Sequence, residues 1–389
     1  MFTLNSIYEY IAARRADLEV LARDIWEHPE TAFKEKYSAE RLARFLEERD
    51  FAVTRAWLDV PTAFTTDFAN GDGPVFGIAA EYDALPAVGH GCGHNLIATA
   101  AVAATLAVRE AMREASIPGT IRLLGTPAEE DGGGKVVLLE RGALEGVDAV
   151  MMVHPNWRTI YEMGSSALRK YDVIFHGREA HAAGNLDLAV NALDAVMLLY
   201  AGINAFRQQL PASCRIHGIV DDGGRAPNVI PGRASCAFYL RSATEEGMEK
   251  LDARFRAIAK GAAMMTGAEL ELVQPSKPYR SRKPNAPMNE QYLADMEELG
   301  AAPARGPSGN MGSSDFGDFS QALPGVHGYF GIADHRIPGH SREFAAAART
   351  GSALESALRA AAAMAHIALK FMTEPEFRSR VREDFARKS

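Results

Sequence analysis

The stretch Glu81 to Asn95, EYDALPAVGHGCGHN, follows directly on the strand-like run Val75 to Ala80 and crowds Glu81, Asp83, His90, Cys92 and His94 into fifteen residues. Ala84, Pro86, Ala87, Gly89, Gly91 and Gly93 separate them. Small residues and turn formers of this kind let a backbone fold tightly around a small object. A thiolate and an imidazole in one turn suit zinc or a similar borderline transition metal, whereas magnesium or calcium sites are built from oxygens. Cys92 and His94, two residues apart, point the same way if the piece is extended. The plainer alternative is a glycine-rich turn with incidental histidines and a buried structural cysteine.

Other parts of the chain bear on that choice. Apolar residues at helical spacing predict helices from about Leu4 to Trp26 and from Ser38 to Glu48, and an Ala-rich helix from His94 to about Ala115. Strands are expected at Thr62 to Phe68, Val75 to Ala80, Thr120 to Gly125 and Asp148 to Val153, with a helix near Lys135 to Arg141. Glu129 and Glu130, in TPAEEDGGG, come straight after one strand and His154 straight after another. Singly, an acidic pair reads as a solvated loop and a lone histidine as a satisfied surface residue. Together, three consecutive strand ends deliver Cys/His, Glu/Glu and His to one sheet edge, and ligands bind at the carboxyl ends of strands in open α/β sheets.

The texture changes near Ser166. Strands at Leu168 to Phe175, Arg215 to Val220, Ala234 to Arg241 and Glu269 to Val273, with helices at Leu186 to Phe206 and Glu245 to Met265, give the order β-α-β-β-α-β of a ferredoxin-like unit. The expected fold is therefore α/β. Residues 1–165 and 278–389 form a catalytic domain with a mixed, largely parallel sheet flanked by helices, and residues 166–277 form an inserted lid or dimerisation domain. The insert carries His176, His181 and Asn228 in HGREAHAAG and PNVIPG. Arg241 at a strand end suits a substrate carboxylate, which arginine grips with two hydrogen bonds, or an ordinary inter-strand salt bridge. After a Pro-rich return come a helix at Pro287 to Gly300, a Gly/Ser loop SGNMGSSDFGDF and a strand at Val326 to Ile332. IPGHSREF then brings His340 to the head of a long Ala-rich helix ending about Met372, and the charged last residues read as a surface helix or tail.

A formal charge of −8 argues against nucleic-acid or membrane-surface partners. Three scattered cysteines are too few for a disulfide framework, the first residues lack a signal-peptide pattern, and no run reads as a membrane span, so a cytoplasmic enzyme is expected. Cys214 and Cys236, in strand-like runs, are expected to pack as small hydrophobes.

The segments EYDALP, GHGCGHN, PAEE, VHP, GREAHAA, PNVIP and GHSREF together resemble metallopeptidase family M20, in the family's order and over nearly the whole chain. The Cys-Gly-His form resembles its amidohydrolase and aminoacylase branch, closest in motif to p-aminobenzoyl-glutamate hydrolases and β-alanyl dipeptidases. The resemblance implies two divalent metals per subunit (zinc, manganese, cobalt or nickel) held by Cys92, His94, Glu130, His154 and His340, with Glu129 as general acid/base. It also implies a homodimer through the inserted domain, with His181 reaching the partner's site and Asn228 near the substrate carbonyl. Asn95 stands where the amidohydrolase form often has aspartate, which unsettles any transfer of hippurate-type specificity.

The chemistry fits those residue types. An amide carbonyl is a poor electrophile and water a poor nucleophile, and divalent metals address both. A free carboxylate can then carry the proton from water to the leaving amine. His181 and Asn228 are the donors available for the tetrahedral oxyanion. Asp83 fits either a hydrogen bond to a ligand imidazole or a cap on the turn before Pro86. The expected activity is hydrolysis of a small N-acyl amino acid or dipeptide-like amide by metal-activated water. The alternatives are hydrolytic deamination of a small amino-aromatic or ureido compound at the same centre, or a non-catalytic binding homologue.

Overall fold

The computed structural model describes residues 3–184, 186–304 and 312–387. The chain divides into two compact units, one of Met1–Gly164, Arg282–Met311 and Asp315–Ser389, the other of Ser165–Ser281 and Gly312–Ser314.

The first unit is built on a six-stranded sheet ordered Val53–Arg55, Phe64–Ala69, Thr120–Gly125, Val75–Ala80, Ala149–Asn156 and Gly325–Gly331. The first two pairings are antiparallel and the other three parallel. Successive residues of the inner strands feed opposite cores, because side chains alternate across a sheet. Ile78, Leu123 and Met151 join one cluster, and Ala79, Leu124, Val150 and Met152 the other. The first cluster is closed by helices His94–Glu114 and Gly351–Thr373, whose facing residues include Ala100, Ala101, Ala104, Ala361 and Ala365. By length and composition His94–Glu114 could cross a membrane, but 94% of its apolar window is buried inside the protein, which makes it a core helix. Helices Gly134–Glu140 and Phe316–Ala322 cover the second cluster.

Three expectations for this unit are corrected. The helix predicted from Leu4 to Trp26 is two, Leu4–Ala12 and Arg15–Glu27, broken where Arg14 leaves helical geometry at φ −104°. The long C-terminal helix is also two, because Thr350 caps a fresh start by accepting the Ala353 N–H. The end of the expected Gly/Ser loop is the helix Phe316–Ala322, anchored by fully buried Phe316 and Phe319; residues 308–311 of that loop lie outside the described residues. The charged last residues form a helix, Pro375–Arg387, in keeping with the first of the two readings, and it also buries Phe377 and Val381 in the core.

The second unit has an antiparallel sheet ordered Glu269–Val273, Ala167–His176, Arg233–Ser242 and Cys214–Asp222. Helices Ala192–Arg207 and Glu245–Thr266 pack over Tyr171, Val173, Phe175, Cys236 and Phe238. The helix expected from Leu186 starts at Ala192, because Asn191 accepts the Leu193 and Asp194 N–H groups and leaves Leu186–Leu188 as a separate turn. A short ribbon pairs Ala180–His181 with Val229–Ile230. Together these elements are the βαββαβ plan of an inserted domain.

Candidate metal centre

Three parallel strands, Thr120–Gly125, Val75–Ala80 and Ala149–Asn156, lie side by side, so the segments that leave their carboxyl ends converge. Asp83 is buried between two of those segments. One oxygen stands 3.0 Å from His94 Nδ1, and the other accepts the Glu130 N–H at 3.0 Å. A single carboxylate thus fixes an imidazole and the backbone of the acidic loop, and leaves His94 Nε2 to face inward. Gly93 opens the helix at φ 75°, and a Cβ there would meet Pro155 Cγ at 2.6 Å, so glycine is required.

The acidic loop is held from behind as well. Ala128 takes a left-handed φ of 60°, and its N–H donates to Glu35 Oε1 at 3.0 Å. Burial, then the nearby Asp83, pushes the Glu35 carboxyl up to about 7. His340 has the same unusual backbone, φ 59°, and its N–H donates to Gly91 O at 2.9 Å. Non-glycine residues held in that region gather at functional sites, where surrounding contacts maintain the strain.

The donor atoms meet at distances that fit metal ligation. Cys92 Sγ lies 3.6 Å from His154 Nε2, and His340 Nε2 lies 3.4 Å from Glu130 Oε2. Donors about 2.0–2.3 Å from one tetrahedral ion stand roughly 3.4–3.7 Å apart. His154 Nδ1 faces Pro155 O at 2.7 Å, which assigns the proton to Nδ1 and leaves Nε2 as a lone pair. Ligand atoms of Cys92, His94 and His154 all lie within 4.8 Å of one another, as do those of Cys92, Glu130 and His340, and of His94, Glu129 and Glu130. Cys92 belongs to two of these groups. Among the described residues, buried His94 Nε2 and Glu130 Oε1 have no hydrogen-bond partner, a costly state that a bound cation relieves. The residues present therefore fit a pair of divalent ions. Burial, followed by the charges of Glu81, Glu130 and Asp315, raises the Glu129 carboxyl well above its ordinary range.

The structure thus brings Asp83, Cys92, His94, Glu129, Glu130, His154 and His340 together. His181, Asn228 and Arg241 belong to the second unit. There His181 and Asn228 are neighbours, with the Ala182 N–H donating to Asn228 O at 2.9 Å. Arg241 donates to Ser313 Oγ at 2.7 Å and to His217 Nε2 at 3.3 Å; among the described residues it has no carboxylate partner, so the inter-strand salt bridge is not formed. His90 is a turn residue, buried against Ile25 O at 3.0 Å.

Sequence reasoning passed over four residues at this centre: Glu35, Lys135, Asp315 and His327. Lys135 and Asp315 form a buried ion pair, 2.8 Å, and His327 stacks on His154 with ring centroids 5.1 Å apart. Only the strand pattern carried a signal, since His327 and His154 lie on neighbouring parallel strands.

A site of thiolate, imidazole and carboxylate donors at the carboxyl ends of an α/β sheet, buried at His94 and open at His340, whose side chain is 60% exposed, is that of a metal-dependent hydrolase. The profile of Peptidase family M20/M25/M40 matches residues 77–370, and the chain belongs to that family, whose members act on amide bonds. It is 36% identical over 396 residues to the Xaa-Arg dipeptidase of Mus musculus, covering 96% of this chain and 91% of that protein. It is 36% identical over 297 residues to a p-aminobenzoyl-glutamate hydrolase polypeptide of Escherichia coli, covering 69% and 60%. In fold it is similar to a putative aminohydrolase from Staphylococcus aureus (TM-score 0.81, 19% identity, 95% of this chain and 100% of that one). It is also similar to a Bacillus subtilis protein described as a dinuclear metal-binding peptidase (TM-score 0.70, 22% identity, 92% and 99%).

Proposed function

We propose that this chain hydrolyses a dipeptide or N-acyl amino acid whose amine side carries a free carboxylate, at a two-metal centre held by Cys92, His94, Glu130, His154 and His340. The observation that carries the reading is the meeting of these donors from separate strand ends, with Glu129 among them. When bound, the metals polarise the amide carbonyl and make water nucleophilic near neutral pH. Glu129 accepts the proton of that water and passes it to the leaving amine; its raised pKa suits a group that must hold the proton between the two steps. Asp83 is a supporting residue, holding His94 in the tautomer that presents Nε2. Asp83→Asn is expected to weaken metal retention about 10- to 100-fold. Equal ion content in variant and parent after dialysis would return Asp83 to the role of a turn cap.

The relatives support the substrate class. In both Xaa-Arg and p-aminobenzoyl-glutamate the amine side of the amide is an amino acid, arginine or glutamate. Arg241, half-buried and without a carboxylate partner among the described residues, is the group suited to hold such a carboxylate. His181 and Asn228 serve the tetrahedral oxyanion. Pairing through the inserted domain is supported by exposed Ile219 and Val220 on the edge strand Cys214–Asp222 and by Met264, 84% exposed, on helix Glu245–Thr266. A panel of dipeptides, N-acyl amino acids, aminobenzoyl-glutamate and their methyl esters tests the reading: acids are expected to turn over and esters to lose most of the rate. Equal rates for acid and ester would remove the carboxylate contact, and ammonia release confined to aminated aromatic acids would replace the reading with deamination.

A further inference from the structure

Lys135 is fully buried near the start of helix Gly134–Glu140. Its ammonium lies 2.5 Å from Glu81 Oε1 and 2.8 Å from Asp315 Oδ1, and its own backbone N–H donates to Asp315 Oδ2 at 2.9 Å. Glu81, Glu129 and Asp315 each offer a carboxylate oxygen within 4.8 Å of the other two. Glu81 Oε2, also buried, has no hydrogen-bond partner among the described residues and stands 3.5 Å from His94 Nε2. Glu81 therefore places one oxygen on the lysine and turns the other towards the imidazole nitrogen of the candidate metal centre.

Three carboxylates this close and out of water cannot all be ionised unless a cation lies among them; without one, at least one of them takes up a proton. Clustered oxygens of this kind are the donor set that hard divalent ions take. Here a side chain supplies the charge. Burial opposes the charge on Lys135, but Asp315, Glu81 and Glu129 outweigh it and keep the ammonium protonated. An ammonium has three donors and no open coordination position, so it neutralises the cluster without offering a place for water or substrate.

We propose that Lys135 is a positioning residue, a protein-borne cation that occupies the Glu81–Glu129–Asp315 cluster in place of a further metal ion and aims Glu81 at His94. The proposal rests on the two-metal reading of the neighbouring centre, but its first readout is an ion count that needs no activity. The ion content of the parent tests the centre itself, and the difference between parent and variant tests Lys135.

Lys135→Met, loaded with excess Mn2+ and freed of loose ion by gel filtration, is expected to retain one ion more per chain than the parent. Its kcat should fall about 10- to 100-fold with KM little changed, as when a group supporting a metal site is lost. The double variant Lys135→Met/Asp315→Asn, which removes one charge of each sign, is expected to bind no ion beyond the parent's number. A folded Lys135→Met with the parent's ion count overturns the proposal. If Lys135→Met does not fold alone, Mn2+ present during refolding should restore it; failure of Mn2+ to do so, with the double variant folded, overturns it equally.

Discussion

Glu129→Gln lowers kcat by about 10²- to 10⁴-fold, the range expected when a general acid/base is removed, and leaves fold and metal content at the parent's level. The two parts of this result come from the same geometry. Glu129 is buried among Glu81, Glu130 and Asp315, whose charges disfavour its ionised form, so a neutral amide of the same shape relieves repulsion and gives the fold no reason to weaken. The amide cannot take a proton from water, so the chemical step is lost. Ion content by mass spectrometry, melting temperature and kcat on one preparation separate the two. Turnover comparable to the parent's would remove Glu129 from proton transfer, and coincident loss of metal would make it a ligand. The same variant probes the second unit: if His181 serves the partner's site, mixing Glu129→Gln subunits with His181→Ala subunits regenerates part of the activity, since one site in each mixed dimer holds both residues. No recovery after proven subunit exchange would confine His181 to its own subunit.

The residues legible in the sequence are those whose position follows from a strand end. Val75–Ala80 and Thr120–Gly125 form strands at the residues their apolar runs predict, and once they pair in parallel the turns after them must share an edge. That carries Cys92, His94, Glu129 and Glu130 to one place with no knowledge of side-chain contacts. His340 was legible through its GHSREF motif alone, because its place depends on the Gly91 carbonyl that accepts its N–H. Lys135 and Asp315 were illegible for a different reason. A charged residue in a short helix is ordinarily solvated, and only the meeting of two distant segments turns this pair into a buried one. Glu35 is similar, since its partner, the Ala128 N–H, is 93 positions away. Two errors in helix length share a cause: Asn191 and Thr350 start new helices by side-chain caps, a local hydrogen bond that apolar periodicity does not register, whereas the break at Arg14 has no side-chain cap.

Stripping metal from the protein abolishes turnover, and zinc, manganese, cobalt or nickel restores it to different extents, because a mixed thiolate, imidazole and carboxylate set accepts several first-row ions with unequal fit. Full activity in rigorously metal-free protein would end the proposal. The most informative ligand substitution is Cys92→Ser. Cys92 Sγ belongs both to the group with His94 and His154 and to the group with Glu130 and His340, so its loss weakens two positions at once, whereas a hydroxyl is a poor thiolate substitute. Metal affinity should drop by more than the roughly 10- to 100-fold that loss of a supporting residue costs. Cys214→Ser is the matched control, since Cys214 is buried beside Ser242 Oγ at 3.5 Å in the core of the second unit. Equal ion content in the two variants would show that the wrong cysteine was assigned to the centre. The thiol adds a pH signature: burial, then the charge of Glu130, raises its pKa well above the ordinary cysteine range. A metal ion must displace that proton, so ion uptake releases acid and weakens as pH falls. Titration with Zn2+ in weak buffer at two pH values measures both effects; proton release that is the same in Cys92→Ser as in the parent would exclude the thiolate as a ligand.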